Sequence, residues 1–138
     1  MTLSLDTNVL VEVVRGAAPI VRERFFGALA DERPLVASLI VVHELYLGCE
    51  LYRDPASELA RVRKVLSRVQ IEPFDEPDMV SAAKVRATLR RRGQTIGAYD
   101  ALIAGQALAR DWTLVTANKR EFDRVDGLNV IDWTAPAA

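Results

Sequence analysis

The chain has 138 residues, half of them hydrophobic and 27% charged, with 18 basic and 19 acidic side chains. That balance suits one hydrophobic core and excludes a disordered chain or a surface that is basic all over. A single Cys and a single His exclude an internal disulfide and a thiolate or His-cluster zinc site.

No apolar stretch approaches the roughly 20 residues of a bilayer span, and no cleavable leader opens the chain. The expectation is one soluble domain over residues 1–138, in a reducing cytoplasm and without membrane contact. Thr2 to Leu5 alternates and reads as a strand that runs into Asp6-Thr7-Asn8, a turn or helix start. Val9 to Val14 is a mostly apolar helix stopped at Arg15-Gly16. Pro19 to Ala30 is a second helix with Pro in its first turn. Leu35-Val36-Ala37 is a short strand, and Ser38 caps a helix from Leu39 to about Leu51. Asp54-Pro55 opens a helix with Leu59, Val62, Val65, Leu66 and Val69 at helical spacing. Gln70 to Phe74 is a strand. Asp75 and Pro77 start a helix that reaches Arg90-Arg91-Arg92-Gly93. Tyr99 to Ala109 is an alanine-rich helix, Thr113 to Thr116 a strand, Lys119 to Val125 a short helix and Leu128 to Ile131 a last strand, with Trp133 anchoring the end. Strands separated by helices need crossovers, so the fold class is α/β, a three-layer α/β/α sandwich with a mostly parallel central sheet.

Three of the acids stand apart. Asp6 follows the first strand, and ligand sites in parallel sheets gather outside strand carboxyl ends. A plain helix cap explains the same position. Glu44 lies inside Leu39-Ile-Val-Val-His-Glu-Leu-Tyr-Leu47, where a carboxylate is costly unless paired, protonated or cation-bound; a solvent-facing stripe is the alternative. Asp100 lies in Ile96-Gly-Ala-Tyr-Asp-Ala-Leu-Ile-Ala104, near the start of a helix apolar on almost every side, where the dipole favours an anion. Asn118 follows the strand Thr113 to Thr116, with Glu121 and Asp123 close behind. If these positions converge, their like charges cannot all ionise unaided. A divalent cation resolves the conflict, and an oxygen-only donor set suits Mg²⁺ or Mn²⁺.

Four segments carry a family likeness. They are Leu5-Asp-Thr-Asn-Val-Leu10, Val42-His-Glu-Leu-Tyr-Leu-Gly48, Ile96-Gly-Ala-Tyr-Asp-Ala-Leu-Ile-Ala104, and Leu114-Val-Thr-Ala-Asn-Lys-Arg-Glu-Phe-Asp-Arg-Val125 with Gly127-Leu128. In that order the chain resembles the PIN-domain nucleases, most closely the VapC-type toxins of bacterial toxin–antitoxin pairs. The resemblance implies a Mg²⁺- or Mn²⁺-dependent endoribonuclease acting on structured RNA such as tRNA or rRNA. It matches Asp6, Glu44 and Asp100 to the family's first three acids, which are catalytic and hold metal. Asn118 stands in the column of a fourth, less fixed acid, which Glu121 or Asp123 would replace. Thr7 and Thr116 resemble hydroxyls of the same pocket. The likeness also implies a VapB-type antitoxin and a homodimer, assembled with antitoxin into a heterotetramer or larger. The helices Pro19 to Ala30 and Asp54 to Val69 offer core residues and a groove for a partner helix. For RNA, the candidate stripes are Arg90-Arg91-Arg92 and Lys119, Arg120 and Arg124; 15 of the 18 basic residues are Arg.

Two rival readings use the same residues. A haloacid-dehalogenase or receiver-type phosphoryl-transfer domain also wants an acid after the first strand. The dehalogenase pattern needs a second Asp where Asn8 stands, and only Asp75 suits the receiver's phosphoacceptor. A non-catalytic RNA- or protein-binding module is the other rival, kept open by Asn118. Cys49 is expected to be a buried small hydrophobe and His43 a packing neighbour.

Overall fold

The computed structural model describes residues 1–136. In chain order the elements are β1 (Leu3–Leu5), α1 (Thr7–Arg15), α2 (Pro19–Ala30), β2 (Leu35–Ser38), α3 (Leu39–Glu50), α4 (Pro55–Leu66), β3 (Gln70–Glu72), α5 (Glu76–Arg91), α6 (Ala98–Arg110), β4 (Thr113–Val115), α7 (Lys119–Phe122) and β5 (Val130–Ile131). This is the expected order. Several elements are shorter than the sequence pattern suggested: α4 ends at Leu66, β3 at Glu72, and α7 and β5 are cut back. After Phe122 the backbone closes turns through Arg124 N–H to Glu121 C=O and Val125 N–H to Phe122 C=O, so the helix does not continue. Gly127, at φ 79°, then turns the chain, and the last strand forms only from Val130.

All five strands are parallel, in the order β3-β2-β1-β4-β5. The chain crosses the sheet one way from β1 to β3 and the other way from β3 through β4 to β5. Right-handed crossovers therefore put α1 to α4 on one face and α5 to α7 on the other. The result is the three-layer α/β/α sandwich. β1 is central and wholly buried, with Leu3 beside Leu35 on one side and Thr113 on the other. Leu10, Val13, Val21, Phe25, Val41 and Val42 fill the space between sheet and helices on one face. Cys49 is buried there, while His43 is exposed and meets Tyr99 edge to face at 5.8 Å. Of the apolar residues on α2 and α4, Phe25, Val62 and Leu66 are core, whereas Phe26 points outward. Trp133 is buried, and its carbonyl accepts a 2.9 Å bond from the Arg24 guanidinium. No helix among the described residues is long and apolar enough to cross a membrane.

The second face is ruled by α5 against α6. Gly105 of α6 meets the backbone of α5 at Ala82, where an added Cβ would lie 2.3 Å from the Ala82 Cα. On an open helix face Gly→Ala stabilises by about 1 kcal/mol. Here backbone is in the way, so the sign reverses: Gly105→Ala is expected to destabilise by about 2–3 kcal/mol in denaturant unfolding. A neutral or stabilising result contradicts the close approach.

At the other end of the pair, buried Asp78 and Asp75 form a reciprocal capping box at the start of α5. Arg110, in the last turn of α6, donates to both Asp78 oxygens at 3.0 and 2.8 Å and to the Pro73 carbonyl at 3.1 Å. Burial opposes ionisation of Asp78, but this fork and the Asp75 N–H hold its carboxyl below the usual range. The clamp fixes α6 lengthwise, and α6 carries Asp100 at its opposite end.

Candidate active site

Reversal of the crossover direction between β1 and β4 makes a topological switch point, and the crevice beyond their carboxyl ends is where open α/β sheets place ligands. Asp6 is the first residue past β1. Its N–H donates to the Val115 carbonyl of β4 at 2.9 Å, which fixes it at the mouth of that crevice. One carboxylate oxygen accepts from the Thr7 N–H at 2.9 Å, so the cap expected from sequence exists. The other accepts from the buried Thr116 hydroxyl at 2.7 Å and the Asn8 amide at 3.4 Å. Capping and pocket roles thus coincide in one side chain. Burial raises the Asp6 pKa, and the bonds from Thr116 and Thr7 pull it part of the way back.

Glu44 is brought in by α3, which starts at the end of β2 with the Ser38 hydroxyl capping the Ile40 N–H at 3.1 Å. Val41, Val42 and Leu45 are buried, and Glu44 sits half-buried at the edge of that stripe. The Thr7 hydroxyl donates to it at 2.9 Å, joining α3 to the start of α1. Asp100 comes from the first turn of α6, whose N-cap Gly97 makes no side-chain cap bond. Asp100 does not serve as the cap. Its pKa is pushed up to about 6, first by burial and then by the charges of Asp6, Glu44 and Glu121.

Asp6, Glu44, Asp100 and Asn118 line one open cleft of about 540 Å³, together with Thr7, Asn8 and Glu12. All four expected positions therefore meet. The two acids that follow Asn118 take different places. The Asn118 amide donates to Glu121 at 2.7 Å, and Glu121 is close enough for its charge to act on Asp100. Asp123 faces outward in an ion pair with Lys119. Sequence reading missed Asn8 as a site residue. Its amide spans Asp6 and Thr116 while its carbonyl accepts from the Ala117 N–H at 3.1 Å, tying α1 to the loop after β4. Glu12 was missed too. The i, i+4 spacing of Asn8 and Glu12, which puts both on one face of α1, was the available signal.

The donors offered to a ligand are carboxylate, hydroxyl and amide oxygens, which fits a hard divalent cation. Among the described residues no three His, Cys, Asp or Glu side chains form a ready cage. Asp100 adds a carboxyl whose ionisation is opposed by three neighbouring anions, with no hydrogen bond to relieve it.

The profile of the family described as PIN domain matches residues 3–128. The chain belongs to the PIN-domain family. The tRNA(fMet)-specific endonuclease VapC of Shigella flexneri is 34% identical over 130 residues, covering 94% of this chain and 96% of that protein. The solved structure of VapBC2 from Rickettsia felis bound to a promoter DNA fragment superposes with a TM-score of 0.90 at 29% identity, covering 96% of this chain and 99% of that one. DNA-bound VapBC from Salmonella typhimurium gives a TM-score of 0.88 at 34% identity, over 96% and 98%. Within the family this PIN domain is of the VapC ribonuclease type.

The rivals lose their footing on this geometry. Asn8 stands where the dehalogenase pattern wants its second acid, and it donates to Asp6 instead. Asp75 caps α5 at the carboxyl end of edge strand β3 and pairs with Arg110, so it does not line the crevice as a phosphoacceptor would. Glu121, held by the Asn118 amide, puts a carboxylate beside the position where the fourth acid was expected.

Proposed function

We propose that residues 1–138 act as one divalent-metal-dependent endoribonuclease, the toxin of a toxin–antitoxin pair. The observation that carries this is the convergence of carboxylates from β1, α3 and α6 at the switch-point cleft. Asp6 and Asp100 would hold Mg²⁺, with Mn²⁺ able to replace it, and Glu44 would hold a second ion or orient the attacking water. When bound, a divalent ion lowers the pKa of a water and offsets charge on the phosphate.

The protein's own groups set the rest. Thr116, Asn8 and the Thr7 N–H fix the Asp6 carboxylate, so it needs little reorganisation on ligand binding. The Thr7 hydroxyl keeps Glu44 aimed across the cleft. Asn118 contributes a neutral donor and restrains Glu121. Water loses a proton and attacks phosphorus, the P–O bond to the leaving ribose oxygen breaks, and that oxygen takes up a proton, leaving a phosphate monoester on one strand end and a hydroxyl on the other.

Relatives named as tRNA(fMet)-specific endonucleases support a structured RNA substrate, tRNA foremost. Relatives solved as VapBC complexes support a VapB-type antitoxin as partner, and a homodimer within a larger complex belongs to the same proposal. Phe26 on α2 is an exposed anchor for such a partner helix. A cytoplasmic location accords with an RNA target.

The test is incubation of the full chain with tRNA(fMet) transcript and Mg²⁺ or Mn²⁺, with chelator as control. Discrete cleavage lost on chelation is expected, as is a melting temperature that rises with added Mn²⁺. Cleavage indifferent to chelator, or no cleavage of any RNA, contradicts the proposal.

A further inference from the structure

An acidic cleft repels RNA unless cations stand beside it, and the formal net charge of −1 supplies no general attraction. Several basic side chains near the cleft or the α5–α6 pair are already engaged, while among the described residues Lys84, Arg91 and Arg120 stand unpaired but lie outside the recess at the Asp100 end of α6. Lys119 pairs with Asp123, Arg92 with Asp126, and Arg110 is spent on Asp78, Asp75 and Glu72. Among the described residues, Arg86 and Arg90 make neither an ion pair nor a side-chain hydrogen bond. Both are exposed, and their i, i+4 spacing puts them on one face of α5. They border a small recess of about 60 Å³ with Thr95, Ile96 and Ala101. Ala101 directly follows Asp100, so the recess opens on the same turn of α6 that delivers Asp100 to the cleft. Arg124 approaches from the other side, donating to the Thr95 carbonyl at 3.2 Å.

We propose that Arg86 and Arg90 form a phosphate subsite that holds the RNA phosphodiester next to the one being cleaved. The inference rests on the endoribonuclease reading above and names how that site takes its substrate. Two forked guanidinium groups on adjacent helical turns can bracket one phosphate from two sides, which a lone Arg cannot. The subsite lets the chain place carboxylates at the reacting phosphate and cations at its neighbour. It also selects among the basic stripes visible in sequence. Arg90 belongs to it, Arg92 is tied to Asp126, and Arg86 lies outside the Arg90-Arg91-Arg92 run.

The experiment compares wild type, R86Q/R90Q and R91Q as full-length proteins with Mn²⁺ and labelled tRNA(fMet) transcript. For R86Q/R90Q the KM is expected to rise about tenfold or more with kcat little changed. The slope of log affinity against log salt should fall by about 0.7, the value for one neutralised phosphate of a single strand. R91Q, about 100° round the helix, should behave as wild type. Melting temperature and its rise with Mn²⁺ should be the same in all three, which separates substrate binding from folding and metal binding. A double variant with wild-type KM and salt slope overturns the subsite while the nuclease reading stands. Equal losses in R91Q overturn it in favour of diffuse charge. A wild-type protein that neither binds nor cleaves RNA overturns both.

Discussion

Asp100→Asn is expected to abolish RNA cleavage and, without metal, to make the protein more stable at neutral pH. Loss of one metal-holding carboxylate should lower the rate on the order of 10³-fold, about 4 kcal/mol of transition-state stabilisation. The stability gain follows from its ionisation. The folded pKa is about 6, against roughly 3.9 in the unfolded chain. Between those values the folded state holds the extra proton, so stability falls as pH rises from about 4 to about 6. The Asn variant lacks that fall, and its advantage over wild type is greatest above about pH 6. Mn²⁺ reverses the ranking, because wild type gains from binding and the variant does not. Urea melts in chelator on either side of this window, repeated with Mn²⁺, check it. A variant less stable than wild type in chelator at neutral pH, or one with full metal-dependent cleavage, contradicts it.

Asp78→Ala should act in the opposite sense, as a large loss of stability with no direct effect on chemistry. Asp78 has no exposed side-chain surface, and it satisfies both the Arg110 fork and the Asp75 N–H. Arg110 is partly exposed and keeps Glu72 and Asp75, so the loss of the buried carboxylate and its cap bond costs about 2–3 kcal/mol rather than the full cost of a stranded buried charge. For a chain of this size that is a fall in melting temperature of roughly 7–10 °C. The pH dependence also has the opposite sign to that of Asp100. The Asp78 pKa is depressed, so its contribution is present above the unfolded value of about 3.9 and fades as pH drops through the folded one. The wild-type advantage over Asp78→Ala should therefore shrink in acid. Equal melting temperatures at neutral pH, or a gap unchanged by acid, would show that the clamp contributes little.

The contrast between these two aspartates marks what could be read in advance. Asp100 was legible because an acid in an alanine-rich helix near its start has few structural excuses. Asp6 was legible because it ends an apolar strand, and Glu44 because its helix is otherwise almost wholly apolar. The twelve elements were legible in order because β1, β2 and β4 are short, wholly buried runs and α1, α3, α4 and α5 open on a capping Asp or Ser. Asp78 was not singled out, since its partner Arg110 is 32 residues away and only the α5–α6 packing joins them. Glu121 and Asp123 were indistinguishable in sequence. The short helix α7 separates them, turning Glu121 toward Asn118 and Asp123 toward Lys119. Arg86 was hidden behind the more conspicuous triple-arginine run, because a helix face is not visible as a run. The ends of α7 and β5 were overdrawn, because apolar residues such as Val125 and Leu128 pack on the core from turns as well as from regular elements.

The central claim is that Asp6, Glu44 and Asp100 make one divalent-cation site. The most direct measurement is anomalous diffraction from crystals of the full chain soaked in Mn²⁺. The expected result is a peak in the switch-point cleft with carboxylate oxygens of Asp6 and Asp100 at direct coordination distance, roughly 2.0–2.6 Å, and Glu44 beside it. Mn²⁺ bound elsewhere with that cleft empty at saturating metal would contradict it.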